Sequence, residues 1–226
     1  MIYLDIEDIA ITAFLREVAK SVKPGDRILD AGAGFCPYKK YFSHAIYEST
    51  DFENERFGNI HNFVCSLDNI PKPDNYYDAI LNTQVLEHVP YPQKVINEFF
   101  RILKPGGKLF LTAPQGWGIH QAPNHFFHFT KYGLELLFKN AGFEIISIEP
   151  KGGIFCYLAK RIATLPSYVL KQYKGKASYY LLLPFYLFAF PFCKILIPLL
   201  FLQLDFLDKS KDYTLGYKCV CRKPLE

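Results

Sequence analysis

Short apolar runs and polar turns alternate through the first 150 residues at the spacing of strands and helices. Ile6 to Lys20 repeats apolar positions every three to four residues and predicts an amphipathic helix. Ile28 and Leu29 open a strand that Asp30 closes, and Ala45 to Thr50 fits a second strand. The helical stretch Tyr38 to Phe42 supplies the crossover between them. Tyr76 to Asn82 predicts a third strand, and Pro92 to Leu103 a helix with Val95, Ile96, Phe99 and Leu103 on one face. Lys104-Pro105-Gly106-Gly107 reads as a stop, followed by a strand from Lys108 to Ala113. Tyr132 to Asn140 is a further helix, and Gly142 introduces a strand from Phe143 to Ile148. Repeated βα units of this length predict a largely parallel sheet with helices on both faces, and its ligand chemistry at the carboxyl ends of the strands.

Two features give that sheet a chemical direction. Arg27-Ile-Leu-Asp-Ala-Gly-Ala-Gly34 runs a strand into an acidic residue and two alternating glycines. A turn without side-chain bulk lets a ligand lie against backbone N–H groups. Asp51 follows the turn by about twenty positions, where a nucleoside-binding βαβ unit places the acceptor for ribose hydroxyls. The bland alternative is that Asp51 caps a strand end.

Together with Tyr77-Asp78-Ala-Ile-Leu, Val85-Leu86-Glu87-His88-Val89 and Arg101-Ile-Leu-Lys-Pro-Gly-Gly107-Lys-Leu, these residues resemble a class I S-adenosylmethionine (SAM)-dependent methyltransferase of the broad small-molecule type. The resemblance covers about residues 25–150 and a terminal strand. It implies an α/β fold: a Rossmann-like, doubly wound, seven-stranded sheet whose last strand, here Tyr213 to Cys221, is antiparallel. It implies S-adenosylmethionine as cofactor, with Asp30, Gly32 and Gly34 cradling its methionine part and Asp51 holding its ribose. Asn82, Thr83 and Gln84 would line the floor beside the sulfonium. Cys36 stands where many relatives carry a third small residue. Ser66 aligns with an acidic residue that meets the adenine amine in relatives, and Asp68 can substitute for it.

Methyl transfer to a hydroxyl is helped by a general base, and histidine is the side chain best matched to neutral pH. Of six histidines, His120, His125 and His128 lie in the loop after the Lys108–Ala113 strand, among Trp117, Phe126, Phe127 and Phe129. His125 or His120 is the candidate base or acceptor contact; otherwise these rings bond backbone in a structured loop. Some O-methyltransferases carry Glu-x-x-Glu-His at the place of Gln84-Val-Leu-Glu87-His88 and bind a divalent metal. An amide at position 84 is a poorer ligand than a carboxylate. With His120 or His125 a site is the alternative; the favoured reading is no metal, with His88 anchoring the helix start through a hydrogen bond.

Composition then bounds the outcome. The chain has 226 residues, half of them hydrophobic, enough for one domain with an insertion. Met1-Ile-Tyr-Leu-Asp-Ile-Glu-Asp is acidic and lacks the pattern of a secretory leader. The six cysteines show no metal-pair spacing, so free thiols in a cytoplasmic protein are expected. Pro150 to Leu204 holds seven lysines and arginines and no acidic residue, against a whole-chain net charge of +4. Its second half, Tyr179 to Leu202, is almost wholly apolar.

The expected organisation is a SAM-binding core over residues 1–150, a basic apolar insertion over 151–212 and a terminal strand over 213–226. A single membrane crossing by the insertion would separate two strands of one sheet. Two crossings need about forty apolar residues, and Pro184, Pro191 and Pro198 interrupt a straight helix. The expectation is a segment that dips into an anionic membrane surface at the inner face, delivering a small or lipid-linked acceptor. The alternatives are a soluble small-metabolite methyltransferase whose insertion is a lid, and a non-catalytic SAM-fold interaction module. Nucleic acid is not an expected partner, because the charges interleave with aliphatic runs. The oligomeric state stays open.

Overall fold

The computed structural model describes residues 5–225; the ends of the expected outer ranges, residues 1–4 and 226, lie outside the described residues. Seven strands form one sheet: β1 (Arg27–Ala31), β2 (Ile46–Asp51), β3 (Phe63–Val64), β4 (Tyr77–Thr83), β5 (Leu103–Pro114), β6 (Glu144–Pro150) and β7 (Gly216–Arg222). Their order is β3-β2-β1-β4-β5-β7-β6. The first five strands pair in parallel, and β7 runs antiparallel to β5. This is the Rossmann-like methyltransferase sheet with its reversed last strand. The order turns outward from β1 on both sides, so a crevice opens between the carboxyl ends of β1 and β4.

The helices are α1 (Ile6–Ser21), α2 (Pro92–Ile102) and α3 (Lys131–Ala141), followed by α4 (Ile154–Gln172), α5 (Ala177–Pro191) and α6 (Ile197–Leu204). The apolar face of α1 (Ile11, Leu15, Val18) packs on Ile28, Leu81 and Phe110. Pro92 starts α2, where the missing amide bond costs nothing. Val95, Ile96, Phe99 and Ile102 are buried from that helix. Thr130 caps α3 by accepting from the Gly133 amide, and Gly142 ends it at a φ of 93°.

Three expectations need correction. The crossover at Tyr38–Phe42 is a single 3-10 turn, Lys39–Phe42, because Pro37 precedes it and four residues cannot nucleate an α-helix. Lys104 to Gly107 ends the helix but does not form a free loop: β5 already begins at Leu103, opposite Tyr77. The register to β4 jumps there, and the Gly106 amide and Gly107 carbonyl pair with Lys223. Pairing captures the segment despite its proline and glycines. The prolines of the insertion also fail to stop the helix, which runs from Ala177 to Leu207. Pro198 sits in the first turn of α6, and a π-turn at Phe192–Leu196 follows Pro191. A wider turn accommodates a missing i→i−4 bond.

The chain divides into two compact units. One is made of residues 10–149 with residues 216–225 and holds the sheet. The other is made of residues 5–9 with Pro150–Leu215. In the latter, Lys151 Nζ lies 2.7 Å from Glu7 Oε1 and Lys160 pairs with Asp5, so part of the basic surplus is internally neutralised. Asp205 accepts from the Gly153 and Cys156 amides and Asp208 from Ile154, closing the N-terminus of α4 with negative charge. Helix α5 contributes no buried residue.

Candidate active site

The turn after β1 is held from β2. The Gly32 and Ala33 amides both donate to the Thr50 carbonyl (2.9 and 3.1 Å), and the Gly34 amide donates to Asp51 Oδ2 at 2.9 Å. Gly32 has a φ of +80°, and a Cβ there would lie 2.5 Å from a Val85 methyl, so no side chain fits. Gly34, at a φ of +52°, faces open space. Asp51 Oδ1 accepts from the Phe52 amide. Each oxygen of that buried carboxylate thus spends one lone pair on backbone and keeps another for a ligand hydroxyl.

Asp30 is almost fully buried at the end of β1. Tyr47 donates to its Oδ2, while Oδ1 has no hydrogen-bond partner. Burial pushes the Asp30 carboxyl up to about 6; the Tyr47 hydrogen bond opposes the rise and the Asp51 charge adds to it. Asn82 donates from Nδ2 to the Ala31 carbonyl at 2.9 Å, leaving a buried Oδ1 without a partner. Gln84 adopts a φ of 54° and spends its Nε2 on the Thr112 hydroxyl. Ser66 donates its hydroxyl to Asp68 Oδ1, so the two residues considered for adenine form one acceptor group. Cys36 takes a φ of 51°, and its thiol lies 3.9 Å from His61 Nδ1. Sequence reading passed over Tyr47 and His61. Neither carries a spacing signal, because each reaches the turn only through sheet pairing.

A second group gathers after β4 and β5. Leu86–His88 forms a 3-10 turn with Glu87 fully buried. The loop after β5 is fastened to that turn: the Phe126 amide donates to the Glu87 carbonyl, and His88 Nδ1 bonds the Asn124 carbonyl. The rings of His88 and His120 stand 4.8 Å apart between centroids, His120 and His125 4.3 Å, and His125 and His128 4.8 Å. His125 Nδ1 accepts from the His120 amide at 3.2 Å, which puts the proton of a neutral ring on Nε2. His120 Nδ1 faces the Gly118 carbonyl and must donate to it, which leaves a lone pair on Nε2. Burial and the neighbouring imidazoles hold His88, His125 and His128 below the usual histidine range.

The model of the methyltransferase domain family matches residues 7–148. The chain belongs to this family. The methyltransferase domain is 32% identical over 107 residues to a ubiquinone/menaquinone biosynthesis C-methyltransferase from Vibrio cholerae, a match over 39% of the chain and 41% of the relative. The chain therefore spans about two fifths of the length of the curated relatives it matches. Among solved structures, a putative sarcosine dimethylglycine methyltransferase from Galdieria sulphuraria aligns with a TM-score of 0.62 at 18% identity, over 100% of this chain and 91% of that one. The cyclase SpnF aligns at 0.60 and 21% identity, over 96% and 81%. These likenesses show the fold.

The residues at the β1 and β4 ends fit S-adenosylmethionine, the cofactor of class I methyltransferases. The side-chain-free turn, the spare Asp51 lone pairs and the two unpartnered buried oxygens of Asp30 and Asn82 all fit a ligand with hydroxyl and ammonium donors. Asp30 supplies a check on this electrostatic picture. Between about pH 4 and 6 the unfolded carboxyl loses its proton while the folded one keeps it, so Asp30 lowers stability as pH rises through that window. Asp30→Asn therefore stabilises the cofactor-free protein increasingly from pH 4 to 7, by an amount of the order of 2–3 kcal/mol. Urea unfolding across that range reads this directly, and a difference independent of pH contradicts it.

Proposed function

We propose that the chain methylates a hydroxyl of a small-molecule acceptor at the crevice between the β1 and β4 ends. The observation that carries this reading is the Gly34–Asp51 clamp: a bulk-free turn fixed to a carboxylate that retains acceptor capacity. In this reading Asp30, Gly32 and Gly34 hold the amino-acid portion of S-adenosylmethionine, Asp51 the ribose, and the Ser66–Asp68 pair the adenine. Asn82 and Gln84 lie beside the reacting sulfur. The cofactor, when bound, supplies an already activated methyl group, so the residues need only align, exclude water and move one proton. His120 Nε2 has the lone pair to take that proton. His125, with its neutral-state proton on Nε2, serves as a donor to the acceptor rather than as a base. The six free cysteines accord with a cytoplasmic place.

A second reading concerns where the acceptor comes from. The helix from Ala177 to Leu207 is long and apolar enough to cross a membrane, and Phe185, Leu187, Phe188, Leu199 and Leu200 are exposed on it. Exposed apolar area of this extent supports contact with a bilayer and a lipid-linked or quinone-like acceptor. The name of the Vibrio relative points to a quinone for that protein. A lid over a soluble metabolite is the competing arrangement.

Two measurements separate these proposals. Asp51→Ala should weaken S-adenosylhomocysteine binding in calorimetry by about thirtyfold or more, the scale of at least one charge-assisted hydrogen bond, with an unchanged circular dichroism spectrum; unaltered affinity removes the ribose assignment. Replacing Leu199, Leu200, Phe201 and Leu202 with serine should abolish sedimentation with anionic liposomes while cofactor affinity stays the same. Failure of the parent chain to sediment would favour the lid.

A further inference from the structure

We propose that Glu87, His88 and His120 form a binding site for a divalent transition-metal ion on the acceptor side of the crevice. One donor atom from each lies within 4.8 Å of the other two, and His88 Nε2 stands 3.9 Å from Glu87 Oε1. The expectation of no metal rested on Gln84, the amide at the place of a first carboxylate. In the folded chain that amide is bonded to Thr112, and the third donor comes instead from the loop after β5.

The tautomers support the assignment. His88 Nδ1 faces the Asn124 carbonyl and His120 Nδ1 the Gly118 carbonyl, at 2.5 and 3.1 Å. A carbonyl oxygen only accepts, so both protons sit on Nδ1 and both Nε2 atoms present lone pairs. Metal-ligating histidines are oriented in this way, with the other ring nitrogen donating to a carbonyl or carboxylate. Glu87 adds a buried carboxyl group to the two imidazoles. Two imidazoles and one carboxylate suit zinc and its first-row neighbours better than magnesium or calcium, which prefer all-oxygen sets.

The spacing also indicates how the site closes. Ligand atoms at 2.0–2.1 Å from a tetrahedral ion lie about 3.4 Å apart, so the ion draws the half-exposed His120 inward by about an ångström. The other side is already fastened, through the Glu87 carbonyl to Phe126 and Phe127. Three protein ligands leave a fourth position open, the arrangement of catalytic sites.

This inference rests on the proposed methyl transfer for its consequence, though not for the binding itself. An acceptor hydroxyl in the open position loses its proton to water more easily, because the cation stabilises the resulting oxyanion. That oxygen then forms the O–CH3 bond while the S–CH3 bond breaks. The electron pair stays on sulfur, which becomes a neutral thioether. His120 would then be a ligand rather than the base: the metal would lower the hydroxyl's pKa, and water would take the proton.

The test uses the full chain, stripped with a chelator and titrated with Co2+, followed by Zn2+ competition and elemental analysis. One Co2+ per chain with a visible d–d band, displaced by Zn2+, is the expected result. His120→Ala and Glu87→Gln each weaken Co2+ binding tenfold or more, whereas His128→Ala leaves the band unchanged. S-adenosylhomocysteine affinity stays constant in all three variants, which certifies the fold. Absence of Co2+ binding, or binding indifferent to both ligand substitutions, overturns the proposal. The two readings fail separately: Asp51→Ala retains Co2+, and a chelated enzyme that still binds cofactor and transfers methyl refutes the metal's part in the reaction while leaving the cofactor reading intact.

Discussion

Two backbone amides on one carboxylate, Gly34 and Phe52 on Asp51, hold together the candidate site at the ends of β1 and β2. A turn lacking side chains has little to fix its own shape, so the adjacent strand must supply the fixing. The Thr50 carbonyl and the Asp51 carboxylate do so with three hydrogen bonds into the turn after β1. The parallel pairing of Ala31 with Thr50 puts those groups at the correct height. Register, turn and carboxylate thus form one unit.

The turn after β4 joins this unit to the acceptor side. Val85 fills the space that a side chain on Gly32 would need, while the next residues, Leu86 to His88, carry Glu87 and His88 toward the loop after β5. One short segment therefore sets both a wall beside the Gly32 turn and the position of the histidine cluster. The electrostatics of the two sides differ. Asp30 and Asp51 are like charges with limited access to water, a cost that a cationic ligand relieves. His88, His125 and His128 are held below the usual histidine range by burial and by the neighbouring imidazoles. A cleft of about 300 Å³ opens at the opposite ends of the strands, beside Lys23, Asp26, Lys104 and Lys108. It lies at the amino ends of β4 and β5, away from the Gly32–Gly34 turn and the histidine cluster.

Much of the sheet was legible because its signals are local. The apolar run into Asp30-Ala-Gly-Ala-Gly, the face of Val95, Ile96 and Phe99, and the stop at Lys104–Gly107 each declare an element within a dozen residues. The ends were less legible, since pairing to Tyr77 and Lys223 draws Leu103–Gly107 into β5 against its own composition. The helix through Pro184, Pro191 and Pro198 was misjudged because each proline was counted as a break, whereas two of them adjoin a π-turn or a helix start. In the candidate site, spacing alone singled out Asp51 and the glycines, which the strand register brings into contact. A partnership of His88 with His120 or His125 was conceivable, but which of them was not legible: thirty-two residues and a folded loop separate His88 from His120, and the tertiary bonds to Asn124 and Glu87 bring that loop in.

The measurement closest to the central claim is a crystal structure of the chain with S-adenosylhomocysteine. The account predicts the ribose hydroxyls on Asp51, the amino-acid portion over the Gly32–Gly34 turn and the sulfur near Asn82, facing the histidine cluster. Density for the ligand in the cleft at the amino ends of β4 and β5, with the turn after β1 untouched, would contradict it.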